Sequence, residues 1–172
     1  LATFYPDSLD PRDPRQVDIS IHRLIAKLPT LVAAYERLRH GDNAIPPRDD
    51  LPFAANFLYM LFGREPMPED ARLIDKDLIL HAEHGVNASA FAARVAASTE
   101  ADFYAAITAG VAVLKGPKHG GAAEGAKKMA LGIGSEDNAE SYIGNLRRNG
   151  QRIMGFGHPV YKAVDPRSVH MR

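Results

Sequence analysis

The sequence of 172 residues contains no cysteine. Disulfides, thiolate metal sites and cysteine nucleophiles are therefore all excluded. Net charge is also absent, because 21 Lys and Arg balance 21 Asp and Glu, and this balance argues against a nucleic-acid binder. The longest mostly apolar run, AAITAGVAVL, is too short for a bilayer, which requires about 20 residues. Since no targeting leader is visible either, we expect a soluble, cytoplasmic protein without a membrane partner.

What the sequence does contain is a series of helical patterns, in which apolar residues recur every three or four positions. The predicted helices cover residues 17–28, 30–40, 51–62, 67–84, 86–98, 100–115, 122–131 and 136–149. Helix boundaries are expected at one proline and at side chains that can cap a helix: Pro29, Asp49 or Asp50, Thr99 and Ser135. RIMGF, residues 152–156, could form a short strand but has no evident partner. The chain is therefore predicted to be all-α, and its 45% hydrophobic content is enough for a core.

Two histidines stand in glycine-rich segments. His119 lies in LKGPKHGG, just before a helix that is expected to begin around Gly121, and His158 lies in MGFGHPVY. Glycine lets backbone and ligand approach closely, and it costs stability where it is not needed. The glycines, Gly120 among them, therefore indicate space for a substrate beside each histidine. A single glycine-flanked histidine is also typical of an ordinary turn, so it is the repetition that favours a site.

The segment HAEH places His81 and His84 three residues apart, on one face near the C-terminus of a predicted helix. A pair with this spacing is about as often a structural feature of a helix end, where the rings interact with the terminal carbonyls, as it is part of a functional site. The pattern is weak as a metal site, because HAEH is not the zinc motif HExxH and no third ligand lies nearby. Arg167, in the DPR that opens the last predicted helix, can grip a carboxylate through two parallel hydrogen bonds.

Together these residues indicate carbonyl chemistry without a metal. Histidines can polarise a carbonyl and donate to a developing oxyanion. A histidine at a helix N-terminus, as expected of His119, is kept neutral by the helix dipole and acts as an electrophile. Because an arginine for a carboxylate accompanies the histidines, the implied substrate is an anionic carbonyl compound.

Five segments occur in a specific order: LPTLVAAYERLRHG, PRDDLPFAANFLYMLFG, LILHAEHGVNASAFAARVAAST, LKGPKHGGAAEGAKKM and RIMGFGHPVYKAVDPR. In these segments the chain resembles the citrate synthase family almost end to end. The resemblance implies a multi-helical fold, with residues 1–118 as the central part of a large domain and 119–172 as the start of a small domain. It implies a homodimer through large-domain helices that include 87–98 and 102–115.

The resemblance also implies an activity and a set of roles. The family is a transferase of the tricarboxylic acid cycle that condenses oxaloacetate with acetyl-CoA, without a metal or a tightly bound cofactor. By resemblance, His119 binds the acetyl-CoA carbonyl and stabilises its enolate, and His158 binds and protonates the oxaloacetate carbonyl. His84 and Arg167 bind oxaloacetate, and His81 supports them. The backbone expected to wrap CoA comprises Arg152, Ile153, Met154, Gly155, Phe156 and Gly157.

The chain also departs from the family. The general base of the family is an aspartate well beyond GFGH, whereas this chain ends 14 residues after His158. Asp165 is expected to cap a helix rather than replace that base. Compared with the family, the chain resembles a piece truncated at both ends. Because the base is absent, the piece alone is expected to be inactive. Gly85, Pro159 and the GPKHGG motif suggest 2-methylcitrate synthase, which uses propionyl-CoA, as an alternative. A second alternative is a non-catalytic helical binding fragment.

Overall fold

The computed structural model describes residues 1–158 and 161–171, and every regular element within them is helical. Seven α-helices occur in that part of the chain: α1 (Pro14–Arg39), α2 (Phe53–Phe62), α3 (Pro68–His81), α4 (Ala88–Ala97), α5 (Phe103–Leu114), α6 (Gly121–Ile133) and α7 (Ala139–Arg148). Short 3-10 helices occur at Ala2–Phe4, Pro6–Ser8, Glu136–Asn138 and Pro166–Val169. The predicted all-α class is confirmed. The strand suggested for RIMGF was wrong, since these residues form a turn and irregular chain.

Helix α1 continues through Pro29, so the predicted break at this proline was wrong. Proline removes one N–H and crowds the carbonyl four residues earlier, here that of Ile25. The turns on either side keep their hydrogen bonds, and packing of α1 against α2 and α5 stabilises the whole helix. At its start, the carboxylate of Asp13 accepts a hydrogen bond from the backbone N–H of Arg15 at 2.9 Å.

The turn between α4 and α5 differs from the prediction in its cap. Asp102, rather than Thr99, caps α5, because its carboxylate accepts from the backbone N–H of Ala105 at 3.0 Å. The Thr99 hydroxyl instead donates back to the Ala96 carbonyl at 2.7 Å, which closes the end of α4. Between the two caps, Glu100 has φ of 60°, a left-handed conformation that is rare for a residue other than glycine.

Two further predicted caps were also wrong. Neither Asp49 nor Asp50 caps α2, which begins after Pro52 without a side-chain cap. The Asp50 carboxylate is engaged by Arg48, whose Nε donates to it at 2.9 Å. Ser135 precedes the 3-10 helix that leads into α7 but makes no side-chain cap bond. At Asp50, the ion pair with Arg48 uses the carboxylate that the sequence pattern assigned to the helix.

Among the described residues, those that are buried lie between Ser8 and Gly110. The buried apolar residues are Leu24, Ala33, Ala54, Ala55, Leu58, Met60, Tyr104 and Ala106. They lie where α1 meets α2 and α5; α3 packs on α2, and α4 packs on α5. Two buried serines join the N-terminal segment to this core: Ser20 Oγ donates to the Ser8 carbonyl at 2.9 Å, and Ser8 Oγ lies 3.1 Å from the Tyr104 hydroxyl.

The predicted division into residues 1–118 and 119–172 stays a prediction. Among the described residues, no helix is both long and apolar enough to cross a membrane. The cytoplasmic location also stays a prediction.

Candidate functional site

His119 lies in a tight turn that leads into α6, which begins at Gly121 as predicted. The backbone N–H of His119 donates to the Gly116 carbonyl at 3.0 Å, and that of Gly120 donates to the Leu114 carbonyl at 3.0 Å. A Cβ atom at Gly120 would lie only 2.4 Å from that Leu114 oxygen. The prediction that this glycine leaves room for a substrate was therefore wrong. It is required because two backbone segments approach each other here.

The His119 ring is held by Ser89, which the sequence analysis did not identify. Ser89 lies in the first turn of α4, and its Oγ is 2.6 Å from Nε2 of His119. Both side chains are half-buried. Asn87 fixes the start of α4 because its side-chain oxygen accepts from the Ala90 N–H at 2.9 Å. Since Nε2 is engaged, Nδ1 is the ring nitrogen of His119 that can address a ligand.

A groove of about 750 Å³ runs alongside His119. Its volume falls in the range typical of small-molecule sites, roughly 300–1,000 Å³. One wall is formed by the turn before α6 and by α6 itself: Pro117, Lys118, His119, Ala122, Ala123 and Ala126. The other wall is the glycine-rich loop, residues 152–158. The groove therefore brings together His119, His158 and all six residues predicted to wrap CoA.

The loop of the second wall is shaped by Gly155 and Gly157, both of which have φ of 83°. Only glycine adopts this conformation at low cost. The loop touches α6 at Met154, whose Cε would lie 2.8 Å from a Cβ added at Gly125. The glycines before His158 are thus required by the backbone path, which turns the loop along the groove.

His158 and His84 lie close together and both contact Tyr161. The His84 and His158 ring centroids are 5.8 Å apart with the planes at 71°. Tyr161 lies 4.7 Å from the His158 ring and 5.8 Å from the His84 ring. The backbone N–H of Tyr161 also donates to Nδ1 of His158 at 3.2 Å. Because Nδ1 accepts this hydrogen bond, the proton of a neutral His158 ring is on Nε2.

His81 and His84 do not form the predicted pair on one helix face. Helix α3 ends at His81, and His84 lies in the following loop. His81 is exposed, with its Nδ1 2.8 Å from the Asp77 carbonyl oxygen and 3.2 Å from the Asp77 carboxylate. Its ring is thus engaged on α3, while that of His84 packs against His158. Within residues 1–158 and 161–171, no group of three His, Asp or Glu side chains could hold a metal ion.

Arg167 is paired with Asp165 through three side-chain contacts: Nε lies 3.1 and 3.3 Å from the two carboxylate oxygens, and Nη2 lies 2.7 Å from one of them. The Arg167 backbone N–H also donates to Asp165 at 2.9 Å, which confirms the predicted helix cap. These Arg167 donors lower the pKa of Asp165 from 3.8 to about 2, with a smaller contribution from the field of His158. The same pairing raises the pKa of Arg167. Pro159, on which part of the 2-methylcitrate alternative rests, lies outside the described residues.

Comparison with known proteins places this arrangement in a family. The sequence profile described as "Citrate synthase, C-terminal domain" matches residues 1–172. A citrate synthase of Synechocystis sp. is 50% identical over 157 residues, which cover 91% of this chain and 40% of the relative. Citrate synthase 2 of Bacillus subtilis is 51% identical over 87% of this chain and 40% of its own length. The chain thus spans less than half the length of these relatives.

Solved structures agree in fold. Citrate synthase from Pyrobaculum aerophilum matches 91% of this chain and 39% of its own, with a TM-score of 0.82 and 48% identity. A ternary complex of carboxymethyl coenzyme A and oxaloacetate with citrate synthase from Thermoplasma acidophilum matches 92% of this chain and 42% of its own, with a TM-score of 0.82 and 36% identity.

Proposed function

Because the chain belongs to the citrate synthase family, we propose that it takes part in the condensation of oxaloacetate with acetyl-CoA to citrate and CoA. The supporting observation is that His119 and His158 line the same groove, each from a different wall. Two ring donors on one cavity suit a reaction in which two carbonyl oxygens must be polarised at the same time. On this proposal the protein is a transferase of the tricarboxylic acid cycle.

On the acyl-CoA side, His119 would act through Nδ1. When the Ser89 hydroxyl donates to Nε2, the ring proton is on Nδ1. That N–H can donate to the thioester carbonyl oxygen and stabilise the negative charge that develops as the α-proton leaves. The half-buried ring cannot turn freely, so the donor is already oriented before the substrate arrives. The loop from Arg152 to Gly157 would hold the CoA along the same groove.

On the oxaloacetate side, His158 would donate from Nε2 to the ketone oxygen as the new carbon–carbon bond forms. Nε2 is the protonated nitrogen because Nδ1 accepts the Tyr161 N–H. His84 packs at the edge of the same ring and would contact the substrate beside it. Arg167 would hold a carboxylate, for which it must share its guanidinium with Asp165 or exchange Asp165 for the substrate. His81, engaged on α3, would have only a supporting role.

Asp165 is not the proton-abstracting base in this proposal. Its carboxylate is held by Arg167, and its pKa of about 2 makes it a poor proton acceptor at neutral pH. The relatives named above are all citrate synthases, so they give no support to the 2-methylcitrate alternative. No tightly bound cofactor and no metal enter the proposal.

The test is release of free thiol from acetyl-CoA and, separately, from propionyl-CoA, each with oxaloacetate. It uses the protein as it is encoded, including any sequence outside residues 1–172. We expect turnover with acetyl-CoA. The turnover rate should fall by at least about 100-fold in His119→Ala. The control His22→Ala, which alters an exposed histidine of α1, should retain the wild-type rate. A His119→Ala variant as active as the control, or no thiol release from wild type, would overturn the proposal.

A homodimer through α4 and α5 is part of the same proposal. Both helices carry large exposed apolar side chains, among them Phe91 at 61% and Val111 at 54% exposure. We expect Phe91→Asp to convert a dimer to a monomer in analytical ultracentrifugation. The matched control is Phe62→Asp on α2, because Phe62 has the same 61% exposure but lies outside these helices. Equal effects of the two variants would contradict this interface.

A further inference from the structure

Tyr161 makes two independent contacts to one of the proposed catalytic histidines. Its backbone N–H donates to Nδ1 of His158, and its ring packs on the His158 ring at 4.7 Å with the planes tilted by 32°. The same phenol ring reaches His84 at 5.8 Å. The three rings thus contact one another pairwise.

His158 has particular need of such contacts. It is exposed, and it follows a loop in which Gly155 and Gly157 both adopt φ of 83°. Glycine loses the most conformational freedom on folding, so a loop of this kind does little by itself to fix the side chain that follows it. A donor to a reacting carbonyl must be held to within a fraction of an ångström to be effective. Contacts from outside the loop must therefore orient the ring.

Tyr161 also interacts electrostatically with Arg167, the third residue proposed to bind oxaloacetate. Besides the dominant hydrogen bond with Asp165, the field of Tyr161 contributes to the raised pKa of Arg167. The half-buried Tyr161 packs against His84 and His158, and it precedes Arg167 by six residues in the chain. The two imidazoles come from separate parts of the chain, the loop after α3 and the loop after α7, and the phenol ring packs directly against both.

We propose that Tyr161 is a positioning residue for the oxaloacetate side of the site: its aromatic ring orients His158 and His84, and its hydroxyl is not required. This inference rests on the proposed function. A substitution of the side chain leaves the backbone N–H in place, so the hydrogen bond to Nδ1 is retained and the contribution of the ring can be measured separately. Tyr161→Phe keeps the ring, and Tyr161→Leu removes it.

The experiment measures thiol release by the protein as it is encoded, with saturation curves for both substrates. We expect Tyr161→Phe to keep kcat within about twofold, and Tyr161→Leu to lower kcat by about 10- to 100-fold. The KM for acetyl-CoA is expected to stay unchanged in both, because the contacts of His119 do not involve Tyr161. The control Tyr35→Leu removes a 70% exposed tyrosine of α1 and should leave all constants unchanged.

The outcomes separate this inference from the function on which it rests. If Tyr161→Leu lowers the melting temperature, Tyr161→Met replaces it, because methionine fills the volume without a flat ring. A Leu or Met variant as active as Tyr161→Phe would overturn the inference while the proposed function stands. Loss of activity in Tyr161→Phe, or a parallel rise of the acetyl-CoA KM, would also overturn it. No thiol release from wild type would overturn both.

Discussion

Gly120→Ala tests whether the turn before α6 sets the position of His119. The added Cβ would lie 2.4 Å from the Leu114 carbonyl oxygen, inside the 3.0 Å limit below which such contacts are essentially never found. The two backbone segments must therefore separate by at least the difference, 0.6 Å. The Leu114 oxygen cannot rotate away, because it belongs to the backbone and already accepts the Gly120 N–H at 3.0 Å.

Overpacking of this kind costs about 1–3 kcal/mol of folding free energy. The movement also reaches the neighbouring His119, whose ring is held to Ser89 by a single contact of 2.6 Å. Misplacement of a catalytic donor by a fraction of an ångström to an ångström lowers kcat by about 10- to 100-fold. We therefore expect Gly120→Ala to be both less stable and less active than wild type.

The assays are urea denaturation and thiol release. Gly144→Ala is the matched control, because it makes the same change inside α7, where the nearest atom to the new Cβ is 3.9 Å away. Removal of a helical glycine without a clash should stabilise the protein by about 0.5–1 kcal/mol. If Gly120→Ala were as stable as Gly144→Ala, or had the kcat of wild type, the proposed role of this turn in placing His119 would be wrong.

Three further predictions follow from other contacts. Ser89→Ala removes the hydrogen bond to His119 and should lower kcat by about 5- to 10-fold, which is about 1 kcal/mol, without changing oxaloacetate binding by calorimetry. Glu100→Gly relieves a left-handed φ of 60° and should raise the free energy of unfolding by about 0.5–1 kcal/mol in urea. Because the pKa of Asp165 is lowered to about 2, its pairing with Arg167 stabilises the fold above about pH 4 and is lost as the pH falls through about 2. The difference in urea midpoint between wild type and Asp165→Asn should therefore shrink as the pH is lowered.

Each of these has a clear contrary result. A Ser89→Ala variant with wild-type kcat would show that the serine does not orient the ring. A Glu100→Gly variant less stable than wild type would show that the Glu100 side chain makes stabilising contacts that exceed its backbone strain. A constant difference in midpoint across the acidic range would show that Asp165 does not titrate differently in the folded and unfolded protein.

Helix starts that depend on one strong local signal were predicted well. Helix α6 begins at Gly121 as predicted, and α3 begins at Pro68, one residue inside its predicted range of 67–84. Proline is suited to the first turn because its missing N–H has no partner there in any helix. Signals of this kind act within one turn, so no knowledge of the rest of the fold is needed to read them.

Where two local signals compete, the sequence pattern alone did not identify the one that is used. Pro29 can start a helix or lie within one, and the contacts of α1 with α2 and α5 favour the continuous helix. Thr99 and Asp102 can each cap a helix, and the tight turn after α4 uses the threonine for its own closure. The role of Pro29 therefore depends on contacts outside its segment, whereas the bonds of Thr99 and Asp102 are local to their own turn.

In the candidate site, too, residues that belong to a local motif were predicted, and residues defined by tertiary contacts were missed. His119 and His158 were predicted from their glycine-rich motifs and from the family resemblance, and the structure places both on one groove. Ser89 was missed because 30 residues separate it from His119. In addition, a serine close to the capping residue of a helix rich in small residues is typical of helix packing. The Tyr161 ring was missed for the same reason, since its contact with His84 exists only in three dimensions.

Helix α7, from Ala139 to Arg148, connects the two walls of the groove. Each residue of an α-helix advances the chain by about 1.5 Å and turns it by about 100°. One residue inserted within α7 would therefore rotate the segment that carries His158 about the helix axis, while His119 stayed in place. An insertion in the turn near Gly134 could be absorbed there. The number of residues inside α7 thus sets the rotational position of that segment, and we expect related proteins to vary in length at the turns and not within this helix.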